Sequence, residues 1–142
     1  MNNIESARTD SQLEHTFASQ LEGTGYEIAG RNSWTTLRIG NRKVKREADI
    51  KVAVGDGRKI VVLCDGEAFH GPKVIRGDPQ ARIDGDRETA LAFFDLGYSV
   101  ARYSETEIHD GSALTHFKGL MSRLGSSQRI YRNWCPVEEV AI

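Results

Sequence analysis

The sequence predicts one α/β domain with a central mixed sheet flanked by helices, and three observations carry that expectation. Apolar residues repeat at helical spacing in two places, after Leu13 and again from Ala90 to Leu96. Two strand-like segments, 48–54 and 60–64, are separated by the turn residues Gly55-Asp56-Gly57-Arg58, as in a hairpin. At 142 residues and 39% hydrophobic content, the chain can close one core of ordinary size and is short for two, so 1–142 reads as a single domain with its core at about 11–125.

The elements follow in order. Ser11-Gln12-Leu13-Glu14 has the form of a capping box, and Leu13, Phe17 and Leu21 then mark a helix over about 12–22 that Gly23 and Gly25 bring to an end. Residues 34–39 alternate weakly and predict a strand, followed by a basic loop over 40–46. In 48–54 the larger apolar side chains lie at period two, which leaves Asp49 and Lys51 on the polar face of a strand. Residues 60–64 are continuously apolar, as a strand covered on both sides is. Gly71, Pro72, Gly77 and Pro79 predict a long loop from 66 to 83, and long loops inside small domains are commonly functional. Asp84 or Asp86 can cap the next helix, which runs through Phe93 and Phe94 to Leu96 with Gly97 just past its end. A strand over 98–103 and a last amphipathic helix through Leu114, Phe117, Met121 and Leu124 complete the order α-β-β-β-α-β-α; the final 15 or so residues carry no legible pattern.

Chemistry gathers around the predicted hairpin. Asp49 lies near the outer end of one strand and Asp65 just beyond the outer end of the other, so folding at 55–57 brings the two carboxylates toward one another. One or two carboxylates together with substrate phosphate oxygens suffice for Mg²⁺, which favours hard oxygen ligands. A cation so held lowers the pKa of bound water, and His70, in a polar loop close by, is placed to take or relay a proton. Each residue also has a plainer reading. Asp49 can be an ion-pair partner of Lys51 or Arg46, Glu14 the capping partner of Ser11, and Asp86 a helix cap. His15, His109 and His116 read as ordinary surface residues.

This arrangement resembles the PD-(D/E)XK nuclease superfamily, and within it the very-short-patch repair (Vsr-type) endonucleases and related restriction-endonuclease-like domains. The αβββαβ order, the aspartate in Ala48-Asp49-Ile50 and the acidic end of the third strand carry the resemblance, which covers roughly 11–105. Ser11 to Phe17 is similar to the family's first helix with its acidic residue, here Glu14. Cys64-Asp65-Gly66-Glu67-Ala68-Phe69-His70 follows its strand-end segment, and Asp86-Arg87 with Leu96-Gly97-Tyr98 resembles its later helix. The resemblance implies that Asp49, the Cys64 carbonyl and Asp65 bind Mg²⁺ or Mn²⁺. It further implies that Asp65 and His70 serve the water or its proton relay, with Glu14 and Asp86 in support. The chain departs from Vsr proteins in having Asp65 for histidine and Glu67 where the first zinc cysteine would stand, so no structural zinc is expected. Of the aromatic wedge only Phe69 remains, beside Ala68, and the superfamily's strand-three lysine is missing.

Net charge is −1, which alone suggests no polyanionic partner, but the basic residues are clustered. Arg38, Arg42, Lys43, Lys45 and Arg46 fall within nine positions, with Lys73, Arg76, Arg82 and Arg87 forming a looser group. Arg42, Lys43, Lys45, Arg46, Phe69, Lys73, Arg76 and Arg87 are therefore the candidate DNA contacts. Cys64 and Cys135 read as free thiols, and the absence of an apolar run near 20 residues predicts a soluble, cytoplasmic protein without a membrane partner. The expectation is a metal-dependent DNA endonuclease of repair or phage defence. The alternative is an inactive nucleic-acid-binding module of a larger restriction or helicase system, and cutting both strands would call for a homodimer or larger assembly.

Overall fold

The computed structural model describes residues 3–124 and 128–142, with side chains from Gln12 onward. Helix α1 (Asn3–Gly23) is followed by strands β1 (Ile28–Ile39), β2 (Arg42–Gly55) and β3 (Arg58–Asp65). Helix α2 (Pro79–Asp95), strand β4 (Ser99–Ser104), helices α3 (Glu105–Asp110) and α4 (Ser112–Arg123), and strands β5 (Ile130–Trp134) and β6 (Val137–Ala141) complete the chain. The strands form one mixed sheet in sequence order, parallel at β3–β4 and β4–β5 and antiparallel elsewhere. The expected α/β class and the α-β-β-β-α-β order are both present.

Two apolar clusters cover the two faces of the sheet. On one, Leu13, Phe17 and Leu21 of α1 and Phe117 and Leu120 of α4 pack on Ile50, Val62, Cys64 and Tyr103. Phe17 meets Tyr103 and Phe117 edge to face at ring separations of 5.3 and 6.4 Å. On the other face, Ala90, Phe93 and Phe94 of α2 cover Leu37, Val61, Leu63 and Val100. The apolar run of β3 thus divides by parity between two helical layers, as a strand buried on both sides must.

Several boundaries differ from those expected, for identifiable reasons. Helix α1 begins at Asn3, so Ser11 lies inside it rather than at its start, and the Ser11 side chain of the expected capping box lies outside the described residues; its first two turns are polar and leave no periodic signal. Residues 42–46 are not a loop but the start of β2, because only Gly40 and Asn41 make the turn. Dense basic residues had masked the alternation of that strand. Helix α2 is capped by Asp78, whose carboxylate accepts from Gln80 N at 3.1 Å, with Pro79 in the first turn. Asp84 and Asp86 therefore lie within the helix, and the long loop ends at 78. Strands β5 and β6 occupy the C-terminal stretch whose sequence showed no pattern. Among the described residues, no helix is long and apolar enough to cross a membrane.

The loop after β3 is held by a close approach. Gly71 is buried at φ +85°, and a Cβ there would lie 2.4 Å from the Trp134 ring. Gly71→Ala is expected to destabilise the protein by about 2–4 kcal/mol, from left-handed strain and overpacking together. Urea unfolding measures this; a change under about 0.5 kcal/mol, the usual range for surface substitutions, would refute the close packing.

Candidate active site

The site is made where the sheet forks. β2 pairs with β3 from Gly55 back to Ile50, and no pairing between these strands extends to Asp49. Instead the Asp49 carboxylate accepts the Cys64 N–H at 2.8 Å, so the donor exposed by the fork is satisfied by a side chain. Across the hairpin, the register places Asn32 opposite Asp49, between the pairs Arg31–Ile50 and Ser33–Ala48. Asn32 has φ 50°, a left-handed conformation that asparagine tolerates better than most residues. On either side of this point, Ala48 packs with α2 while Ile50 packs with α1. The hairpin therefore rotates about Asp49 and leaves its carboxyl at the opening.

Three carboxylates meet there. Glu14 from α1, with only 9% of its surface exposed, joins Glu47 and Asp49 of β2, and one oxygen from each lies within 4.8 Å of the others. With its amide nitrogen turned toward these acids, Asn32 donates to Glu14 Oε2 at 2.8 Å and to Glu47 Oε1 at 2.9 Å. Burial raises the Asp49 pKa well above its ordinary value, and the charges of Glu14 and Asp65 push it the same way. The hydrogen bond from the Cys64 N–H opposes them. Asp49 keeps company that a cation would relieve.

A second cluster lies at the end of β3. Asp65, His70 and Asp86 also bring ligand atoms within 4.8 Å of one another. His70 Nδ1 stands 2.8 Å from Asp86 Oδ2 and 3.9 Å from Asp65 Oδ1. This group already contains a cation. Arg102, 2% exposed, binds Asp65, itself 5% exposed, and reaches Asp86 at 3.4 Å. Trp134 Nε1 donates to the same Asp65 oxygen at 2.8 Å, and Asn133 Oδ1 accepts from Arg102 at 3.0 Å.

Sequence reasoning thus named five acid and imidazole groups that the fold gathers into two sets rather than one. Glu14 and Asp49 belong to the first; Asp65, His70 and Asp86 belong to the second. Cys64 meets Asp49 through its N–H. The Asp49 pairing with Lys51 or Arg46 does not form, since Lys51 donates to Tyr98 Oη at 3.3 Å and Arg46 to the Lys45 carbonyl at 3.0 Å. Glu47 was missed although it lies two residues before Asp49 on the same strand face. Arg102 was missed too; an arginine inside the apolar run of β4 needs a buried acid, and that was its signal. Nothing in the sequence marked Trp134.

The candidate DNA contacts separate by strand parity. Arg42 and Arg46 pair across the hairpin with Ile39 and Thr35, on the α2 face, while Lys43 and Lys45 pair with Arg38 and Thr36 on the other. Arg46, Phe69, Arg76 and Arg82 line a groove of about 770 Å³ together with Asp86. Lys73 borders a smaller cavity of about 320 Å³ with His70 and Trp134. Arg87 is paired within the fold: Glu138 of β6 accepts two hydrogen bonds from its guanidinium, at 2.8 and 3.0 Å. His116 is likewise no plain surface residue, since it links the buried Tyr103 hydroxyl at 2.7 Å to Glu139 at 2.5 Å.

No protein-family profile, no curated protein and no solved structure matches this chain. The functional reading therefore rests on the residues and their geometry.

Because folding raises the Asp49 pKa, the native state holds a proton that the unfolded chain has released above the ordinary value of 3.8. Metal-free stability should accordingly fall as pH rises from that value through the raised one. Asp49→Asn is expected to remove this loss while keeping its neighbours Glu14, Glu47 and Asp65. Thermal melts across pH in EDTA check the claim; an equal decline in both proteins would refute it.

Proposed function

We propose that the chain is a divalent-metal-dependent DNA endonuclease that hydrolyses phosphodiester bonds, acting in repair or phage defence. The observation that carries this reading is the meeting of Glu14, Glu47 and Asp49 at the sheet fork, where the Asp49 carboxyl is held at a raised pKa. Three hard oxygen donors, one from each residue, within 4.8 Å of one another fit Mg²⁺ or Mn²⁺. The Asp65 cluster fits one less well, because the Arg102 guanidinium already balances its acids.

When bound, such an ion would neutralise charge on a phosphate and make its water more acidic. The chain's own residues divide the remaining work. Glu14, Glu47 and Asp49 would hold the ion. Asp86 fixes the His70 ring through Nδ1, so proton exchange with the attacking water or leaving oxygen falls to Nε2. Arg102 and Trp134 hold Asp65 oriented beside that ring. Arg46, Arg76 and Arg82 line the groove next to Asp86 and suit phosphate oxygens.

A second reading, that of a nucleic-acid-binding module without catalysis, draws on one observation: Asp65 Oδ2 is already taken by Arg102 and Trp134. Salt-sensitive DNA binding without cleavage in any divalent ion would favour it.

The test is nicking of supercoiled plasmid by the purified chain in Mg²⁺ or Mn²⁺. Cleavage should vanish in EDTA, and Asp49→Ala or Glu47→Gln should each lower it by about a hundredfold or more, as loss of a direct ligand outweighs loss of an outer-shell partner. Nicking that survives Asp49→Ala undiminished would overturn the assignment.

A further inference from the structure

Beyond the fork, residues 33–48 of β1 and β2 pair only with each other and form a two-stranded arm. One face of this arm carries Leu37, Ile39 and Val44 and packs on the α2 side. The opposite face is open. Its cross-strand pairs, read from the tip inward, are Arg38–Lys43, Thr36–Lys45 and Trp34–Glu47, with Asn32 facing Asp49 next in the same register. Trp34 is 66% exposed, and among the described residues its indole makes no hydrogen bond or ring contact. Arg38, Lys43 and Lys45 are all exposed, and none forms an ion pair within the described residues.

We infer that this face binds an unpaired nucleic-acid strand, with Trp34 stacking on a base and Arg38, Lys43 and Lys45 following its phosphates. The choice of an unpaired strand comes from the chemistry of the row. An indole offers its flat face only to a base whose own face is open, which duplex stacking denies. A cationic track with a stacking ring is the usual means of holding single strands. Successive pairs on one face are about 7 Å apart, a step that an extended strand can follow. The row ends at the carboxylate cluster, so a strand lying along it is led toward the groups that would cut it. In that last respect the inference rests on the nuclease reading and narrows its substrate to DNA with a single-stranded portion.

The experiment uses the full chain in EDTA, with fluorescence anisotropy on a labelled oligothymidylate, a blunt duplex of equal length and labelled polyglutamate. Trp34→Ala should weaken oligothymidylate binding about tenfold and leave duplex binding within about twofold, while Trp34→Phe keeps most of the affinity. Lys43→Gln with Lys45→Gln should flatten the salt dependence for the single strand. Unchanged single-strand binding in Trp34→Ala, an equal loss on the duplex, or Trp34-dependent capture of polyglutamate would each overturn the inference. Melting curves of the variants show that the exposed positions have not cost the fold. The nuclease reading fails separately: plasmid nicking lost in Asp49→Ala with Trp34 idle keeps the enzyme and removes this site. Trp34-dependent single-strand binding without nicking does the reverse.

Discussion

The hydrogen bond from the Cys64 N–H to the Asp49 carboxylate is the constraint on which the candidate site depends. When β2 leaves β3, an interior N–H loses its ladder partner, and an unsatisfied buried donor costs about 1–3 kcal/mol. A short carboxylate at the fork supplies the acceptor and so allows the strands to part. The same geometry commits that carboxyl to a place near Glu14 and Glu47, where its own negative charge is disfavoured. Satisfying the backbone and crowding the acids are one arrangement.

Electrostatics then divides the neighbourhood. Asp65 is more buried than Asp49, yet Arg102 and Trp134 both bind its Oδ2, and removing one partner of such a buried pair commonly costs about 3–5 kcal/mol. That cluster is a fixed part of the fold, giving His70 a rigid acidic backing. In the Asp49 cluster the Asn32 amide is a neutral donor bridging two of the acids. An amide can turn away when a better partner arrives, whereas a buried guanidinium cannot. The two acidic sets thus differ in what they are able to accept, although their side chains are nearly alike.

Much of this fold was legible because its core elements bury one face or both. The period of Leu13, Phe17 and Leu21, the apolar run of β3 and the pattern at Phe93 and Phe94 each led to the right element. Elements without an apolar face were hidden: the polar first turns of α1, the basic start of β2, the Gly85-containing start of α2, and β6, whose Val137 and Val140 are exposed. The site was half legible for a similar reason. Asp49 and His70 stood out against their local background, while Glu47 looked like one more charge beside Arg46, and the joining of α1 to β2 through Asn32 depends on a left-handed residue that no periodicity records.

The arm also leaves β1 as an outer strand of the sheet, with one row of backbone groups facing solvent. Long open strands of this kind invite a second copy to zip on, unless charge or irregular backbone spoils the fit. Arg31 and Arg38 and the kink at Asn32 are distributed along that edge. The cations of the arm therefore keep the folded chain from templating its own aggregation, whatever they grip. Neutralising the whole row would be felt first as lost solubility.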